Sequence, residues 1–299
     1  MKHLPSMKQL QYLVALADTK HFARAAERCF VTQSTLSAGI RDLESVLGTA
    51  VAERTNRRVL MTPIGLEIAK RAKALLQTAQ DVMDVARAGT TPMSGDIHLG
   101  VIPTVSPFLL PRILPALGRA FPDLMLYLRE EQTVSLLGRL HEGELDAALI
   151  ALPYDTGGLD TALILEDEFM FACAKKHALA QATTVSVKAL SAEALLLLEE
   201  GHCLRGHMLD VCAAGNKRIR VQFEASSLHT LVQMVAADLG VTLIPKLAID
   251  AGITKGTGIT LLPLSNPASR QLGLVWRQTS LRAEELERLG VKISKLAAT

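Results

Sequence analysis

The sequence predicts an α/β protein in which a small, mostly helical N-terminal domain precedes a larger domain of alternating strands and helices. Three observations support this prediction. Apolar residues repeat at helical spacing three times within residues 10–47, and apolar runs of strand length alternate with helical patterns from residue 96 onward. Between them, the segment 89–95 is rich in small, turn-forming residues and predicts a hinge. A chain of 299 residues is long enough for two or three domains.

The composition excludes several classes of protein. Apolar runs such as Ala194–Leu198 are far too short to cross a bilayer, and the N-terminus lacks the apolar stretch of a signal peptide. We therefore expect a soluble, cytoplasmic protein with no membrane partner. Four cysteines in this length do not make a disulfide scaffold, so a disulfide in a reducing compartment would be transient and functional.

Charge is distributed unevenly along the chain. Residues 1–90 contain 13 Lys and Arg against 8 Asp and Glu, whereas the remainder contains 19 against 22. A basic N-terminal third suggests an anionic partner for that part of the chain, although charge alone does not decide it.

The first 47 residues predict a helix-turn-helix. Apolar residues recur at i, i+3, i+4 and i+7 from Leu10 and again from Phe22, and a break at 30–33 leads into a third helix. The outer face of that helix carries short polar side chains and one guanidinium, a set suited to base edges and phosphates in a major groove. An ordinary solvated face would carry more Glu and Lys. The predicted DNA-contacting residues here are Gln33, Ser34, Thr35, Ser37 and Arg41.

A basic hairpin is predicted directly after this helix, over residues 53–62. Its three arginines, Arg54, Arg57 and Arg58, would touch the phosphate backbone or the minor groove, as the wing of a winged helix-turn-helix does.

These motifs resemble a known family. The run 31–37 (VTQSTLS), Leu43-Glu44 and Thr62-Pro63-Ile64-Gly65 are similar in order and spacing to the N-terminal domain of LysR-type transcriptional regulators, except that Thr35 stands where many members have proline. Later matches are Gly143-Glu144-Leu145-Asp146 and residues 240–245 (GVTLIP). The resemblance implies a double-stranded DNA operator and two Rossmann-like lobes with a ligand crevice between them. The domains are then a winged helix-turn-helix at 1–62, a linker helix and hinge at 63–95, and a regulatory domain at 96–299, with lobe I at 96–164 plus 265–299 and lobe II at 165–264.

The linker segment predicts a dimerisation helix. Thr62-Pro63 is a favourable helix start. Apolar residues then alternate at spacings of four and three, which is a short heptad seam formed by Ile68, Ala72, Leu75, Ala79, Val82 and Ala86. The alternative is a helix packed only on its own domain. A homodimer through this seam would place two recognition helices on successive half-sites. The resemblance further implies a homotetramer and RNA polymerase as a partner.

The segment 201–212 holds two of the four cysteines and two histidines. Cys203 follows a predicted strand and begins a predicted helix between His202 and Arg205, where a thiolate is favoured. Peroxide converts a thiolate to a sulfenic acid, which condenses with a nearby thiol, and Cys212 is the only partner close in sequence. Nine helical residues span roughly 13.5 Å, whereas a disulfide needs Cα atoms within about 7 Å, so the helix would have to unwind. The alternative is two unrelated buried thiols.

Residues 200–205 (EGHCLR), with a cysteine nine positions after Cys203, resemble the peroxide-sensing members of the LysR-type family. The resemblance implies that Cys203 reacts with hydrogen peroxide and that Cys212 resolves the product. It also implies a peroxide pocket lined by Thr104, Thr133 and His202, with Arg270 nearby. Gly206 departs from the pattern, because the peroxide-sensing relatives carry an acidic residue there.

The sequence is also compatible with other functions. Most LysR-type regulators respond to a small organic anion in the crevice, and this is the main alternative to a peroxide sensor. A thiol peroxidase would leave the basic helix-turn-helix unexplained, so we expect a regulator and not an enzyme. The spacing of the His and Cys residues at 202–212 does not match a zinc site, and we expect neither a metal nor a cofactor. Cys29 and Cys173 are predicted to be core thiols.

Overall fold

The computed structural model describes residues 4–54, 59–88, 92–190, 193–213 and 220–298. The chain divides into two compact units, Met1–Thr90 with Glu142–Glu144, and Thr91–His141 with Leu145–Thr299. Within the described ranges, no helix combines the length and the apolar character that crossing a membrane requires.

Among its described residues, the N-terminal unit contains four helices and a two-stranded hairpin: α1 Met7–Thr19, α2 Phe22–Arg28, α3 Gln33–Leu47, β1 Ala52–Arg54, β2 Val59–Met61 and α4 Pro63–Ala88. The predicted cap Thr32 accepts a hydrogen bond from the backbone N–H of Thr35, which satisfies one of the free donors at the start of α3. Leu13, Leu36 and Ile40 are at most 1% exposed and bring the first three helices together. The helix-turn-helix prediction is therefore confirmed.

Helix α4 does not leave every residue of the predicted heptad seam available for a partner helix. Ala72 is 1% exposed and belongs to the core of the N-terminal unit, and Ile68 packs against the same core. The prediction of one continuous intermolecular seam is therefore wrong for Ala72, because the helix buries that face on its own domain. Leu75 and Val82, further along the helix, are 53% and 65% exposed.

In the part of the second unit that the structure describes, the strands form a seven-stranded mixed sheet and a separate parallel pair. Its elements are β3 Gly95–Val101, α5 Ser106–Ala120, β4 Leu124–Glu130, α6 Thr133–His141, β5 Ala147–Leu152, β6 Asp160–Ala174, α7 Val187–Leu190, β7 Ala194–Leu198, α8 Cys203–Ala213, β8 Arg220–Ala225, α9 Leu228–Ala236, β9 Thr242–Pro245, α10 Lys246–Asp250, β10 Ile259–Pro263, β11 Ser269–Trp276 and α11 Ala283–Ala297. The sheet order is β10-β6-β11-β5-β3-β4, with β9 also on β6, while β7 pairs with β8.

Two long strands connect the parts of this unit. The first half of β6 pairs antiparallel with β11, and its second half pairs with β9 and β10. The parallel strands β3, β4 and β5 lie on the far side of β11. The α/β prediction is confirmed, but the sequence predicted β6 only from Phe169 and did not predict β10. Three consecutive acidic residues at 166–168 separate the apolar run at 162–165 from Phe169 and obscure the start of β6.

Candidate functional site

The turn between β7 and α8 positions Cys203. Gly201 has φ of +96°, a backbone conformation that residues with a Cβ atom rarely adopt, so this turn favours glycine. Cys203 is the first residue of α8, as predicted, and its thiol is free and half-buried against the core. The local chain therefore presents a reduced thiol at a helix N-terminus.

Cys212 belongs to the same helix. Helix α8 is continuous from Cys203 to Ala213, so the axial separation of the two cysteines is roughly 13.5 Å. This is about twice the Cα separation that a disulfide tolerates. In this conformation the two cysteines cannot form a disulfide.

The guanidinium of Arg205 is bound to groups other than the thiol. Its Nη1 atom donates to the carbonyl of Leu198 at 2.9 Å and lies 2.7 Å from a carboxylate oxygen of Glu224. The charge of Arg205 is thus paired with Glu224 beside β7 and β8, whereas the sequence suggested that it would favour the thiolate of Cys203.

His202 lies directly before the thiol and is 8% exposed. Burial lowers the pKa of His202, although the charge of Glu199 and a hydrogen bond to the backbone of Ser226 act in the opposite direction. The imidazole is therefore favoured in its neutral form near pH 7.

A cavity of about 440 Å³ adjoins His202. Thr104 and His202 are among its lining residues, and Thr133 and Arg270 are not. Three carboxylate residues, Glu130, Glu131 and Glu199, also contribute to the lining. Hydrogen bonding from Arg139 lowers the pKa of Glu131, so that carboxylate is ionised and paired.

Arg270 is 1% exposed and organises a buried polar network. Its Nη1 and Nη2 atoms donate to the hydroxyl and the carbonyl of Thr104 at 2.9 and 3.1 Å. Its Nε and Nη2 atoms donate to Asp167 at 3.0 and 2.9 Å. Arg270 and Thr104 therefore meet, as the sequence led us to expect, whereas Asp167 was not predicted, because nothing in the sequence links residues 103 positions apart.

Thr133, at the start of α6, is 1% exposed, and its hydroxyl has no hydrogen-bond partner within the described part of the chain. Such an unpaired buried hydroxyl is unusual, since buried polar groups are nearly always satisfied. A small polar molecule could satisfy it.

His207 on α8 is a second site residue that the sequence did not single out. Its imidazole is hydrogen-bonded to the backbone of Pro153, while Nδ1 is buried without a partner among the described residues. Burial, followed by the charge of Arg270, lowers the pKa of His207. Its position one helical turn after Cys203 is the sequence signal that could have identified it.

The predicted DNA-contacting residues of α3 lie mainly on its exposed surface. Gln33, Ser34, Thr35 and Arg41 are exposed, Ser37 is half-buried, and Nη1 of Arg41 donates to Ser37 Oγ at 3.3 Å. Arg54 ends β1, whereas Arg57 and Arg58 lie outside the described residues.

A helix-turn-helix with an exposed polar recognition helix, followed in the chain by an α/β domain with a cavity and a free thiol, defines a DNA-binding transcription regulator. Residues 7–66 match the family model for the bacterial regulatory helix-turn-helix protein, lysR family, and residues 91–290 match the LysR substrate binding domain. The chain belongs to the LysR family of transcriptional regulators.

Within this family, two relatives and one solved structure are similar over nearly the whole chain. The HTH-type transcriptional regulator EstR of Acinetobacter baylyi is 41% identical, covering 100% of this chain and 99% of that protein. The hydrogen peroxide-inducible genes activator of Haemophilus influenzae is 39% identical, covering 97% and 96%. The structure of a full-length OxyR variant from Pseudomonas aeruginosa has a TM-score of 0.79 at 34% identity, covering 97% and 95%.

Proposed function

We propose that this regulator senses hydrogen peroxide through oxidation of Cys203 and formation of a disulfide with Cys212. The observation that carries the proposal is the free, half-buried thiol of Cys203 at the first position of α8, directly after a buried histidine. The peroxide-related name of the H. influenzae relative and the likeness to OxyR support the same function.

The proposed chemistry has two balanced steps. The Cys203 thiolate attacks one peroxide oxygen, so an S–O bond forms, the O–O bond breaks and the other oxygen leaves as hydroxide, which is protonated to water. The Cys212 thiol then attacks the sulfenic sulfur, forming the disulfide and releasing a second water. We propose that Thr104, Thr133, His202 and Arg270 hold the peroxide and stabilise the leaving oxygen.

The second step requires a conformational change. Because α8 separates the two cysteines by roughly 13.5 Å along its axis, at least part of the helix must unwind before the sulfur atoms can meet. The oxidised protein would therefore differ in shape from the reduced one, which is what a switch needs.

The test is a DNA footprint before and after peroxide, with mass spectrometry of the thiols. Cys203→Ser should retain basal DNA binding and lose the peroxide-induced change, and Cys212→Ser should accumulate sulfenic acid at Cys203. Cys173→Ala is the matched control, since that thiol is fully buried in β6 and burial raises its pKa. A Cys203→Ser protein that still responds fully to peroxide would refute the sensor proposal.

A second candidate is a response to a small organic anion in the crevice. The cavity of about 440 Å³ favours it, as does the similarity to EstR, whose name does not mention peroxide. The carboxylates of Glu130 and Glu199 in the lining disfavour an anion. Cys203→Ser separates the candidates, because an anion response would survive it.

We propose that the DNA-contacting surface comprises the exposed polar residues of α3 together with Arg54, Arg57 and Arg58. The exposed Leu75 and Val82 on α4 support a homodimer through that helix. The homotetramer and contact with RNA polymerase rest on family resemblance alone.

A further inference from the structure

Nδ1 of the His207 imidazole is buried and has no hydrogen-bond partner among the described residues. When the neutral ring carries its proton on Nε2, the lone pair lies on Nδ1, which is then an acceptor. A buried acceptor without a donor is costly and calls for a nearby N–H, O–H or S–H group.

The helix places that acceptor one turn after the reactive thiol. Cys203 and His207 are separated by four residues within α8, so their Cβ atoms lie roughly 5–6 Å apart on one face, and in this conformation the thiol and Nδ1 are not hydrogen-bonded. Gly206 presents no side chain on this helix, and a Cβ atom there would meet nothing within 4 Å.

We propose that His207 is the catalytic proton acceptor for Cys203. This inference deepens the proposed peroxide function and rests on it. Nδ1 accepts the thiol proton, the thiolate attacks the peroxide oxygen, and the S–O bond forms as the O–O bond breaks. Nδ1 then returns the proton to the departing hydroxide, giving water. The sulfur is oxidised, the peroxide is reduced, and His207 ends neutral as it began.

His202 is less suited to this role despite its position next to the thiol. Its ring is hydrogen-bonded to the backbone of Ser226, and its Nε2 atom lies 4.0 Å from a carboxylate oxygen of Glu199. The imidazole of His202 therefore already interacts with two other groups. The charged groups that act on His207 are Arg270 from β11 and Asp210 on α8 itself. The cationic Arg270 opposes protonation of His207 in the resting state, which keeps Nδ1 available as an acceptor.

The experiment measures the rate of Cys203 sulfenylation by hydrogen peroxide in the full chain, from about pH 4 to about pH 9, a range that extends well below the ordinary histidine pKa of about 6.5. Cys212→Ser is the background, because it isolates the first chemical step. His207→Gln retains a group that can bond the Pro153 carbonyl but cannot take up a proton near neutral pH. His98→Gln is the matched control, since it removes another imidazole of the same unit, one whose side chain is 50% exposed.

In the Cys212→Ser background, His207→Gln should slow sulfenylation by about 100-fold near pH 7, whereas His98→Gln should leave it unchanged. The rate with His207 intact should fall as the pH drops through the pKa of His207, which burial holds below the ordinary value of about 6.5, because a protonated imidazole cannot accept the thiol proton. The His207→Gln protein should lose this inflection.

Equal rates for His207→Gln and its background would overturn the role of His207 while leaving the peroxide function intact. If the Cys212→Ser background itself gave no sulfenic acid, the proposed function would fail instead. The pH profile of the background protein needs no change at His207, so it decides the question even if His207→Gln does not fold. Because burial holds the pKa of His207 below its ordinary value, a rate in that protein that is flat from about pH 4 to about pH 7 excludes His207 as the acceptor.

Discussion

Arg270 and Asp167 form an ion pair in which the two side chains are 0% and 1% exposed. They face each other in register on the antiparallel strands β11 and β6, and both contacts of the guanidinium go to Oδ2. The other carboxylate oxygen, Oδ1, accepts the backbone N–H of Leu247 at 2.9 Å. Since Arg270 also holds Thr104, one ion pair joins β6, β11, α10 and the segment after β3.

The first prediction concerns the stability provided by this pair. Asp167→Asn should destabilise the second unit by about 3–5 kcal/mol, because it leaves the Arg270 charge buried without its counter-ion. Urea unfolding followed by the fluorescence of Trp276, the only tryptophan of the chain, measures this change. Glu166→Gln, at an exposed neighbouring position, should cost less than about 1 kcal/mol. Similar losses in both variants would argue against a special role for the pair.

The second prediction concerns Gly206 and the proposed unwinding of α8. Gly206→Ala should stabilise the reduced helix by about 0.5–1 kcal/mol, because alanine is the better helix former and its Cβ atom meets open space. If the disulfide requires unwinding, the oxidised form becomes less favourable, and the reduction potential should rise by roughly 10–20 mV. Thiol–disulfide equilibration against glutathione measures the shift.

Gly118 provides the control for this change, since it is another helical glycine with nothing within 4 Å of an added Cβ atom. Gly118→Ala should stabilise α5 without moving the potential. A potential that is unchanged in Gly206→Ala, despite a measured gain in stability, would mean that α8 stays folded in the oxidised state.

The third prediction concerns the recognition helix. Arg41→Ala should weaken operator binding by about 1–3 kcal/mol if its guanidinium contacts a base bidentately, or weaken binding to all sequences alike if it contacts phosphate. Fluorescence anisotropy with operator and scrambled duplexes distinguishes the two outcomes. Arg28→Ala removes the same charge, but Arg28 pairs with Asp18 on the helix-turn-helix surface and should matter less. Unchanged binding by Arg41→Ala would remove Arg41 from the proposed interface.

The fourth prediction concerns the pH dependence of folding stability. The hydrogen bond to Asp146 raises the pKa of His98 above its ordinary value. A raised folded-state pKa adds stability that is fully present below the unfolded pKa of about 6.5 and is lost as the pH rises through the folded pKa. His98→Gln should therefore cost more stability at about pH 5.5 than at about pH 8.5.

The difference for His98→Gln should stay below about 1 kcal/mol, because the side chain is half-exposed and solvent screens the pair. Asp146→Asn should abolish the same pH dependence. Parallel stability curves for wild type and His98→Gln over this pH range would show that the pair does not form in solution.

Several features could be predicted because they depend on residues close together in the sequence. The cap of α3 at Thr32 and the start of α8 at Cys203 follow from local spacing, and both are observed. The first half of β6 and the split seam of α4 could not be predicted in this way. Which face of α4 is buried depends on α1–α3, and the first half of β6 is defined by its pairing with β11.

Local sequence patterns were enough to predict the α/β class and the helix-turn-helix. They also predicted that Cys203 and Cys212 lie too far apart along one helix to form a disulfide. Those conclusions need only periodicity, capping and the rise of a helix per residue. Tertiary packing was needed to show that Arg205 is paired with Glu224, that Asp167 neutralises Arg270 and that His207 has an unpaired buried nitrogen. These three facts depend on contacts between distant segments and on exclusion of water, and neither can be read from neighbouring residues.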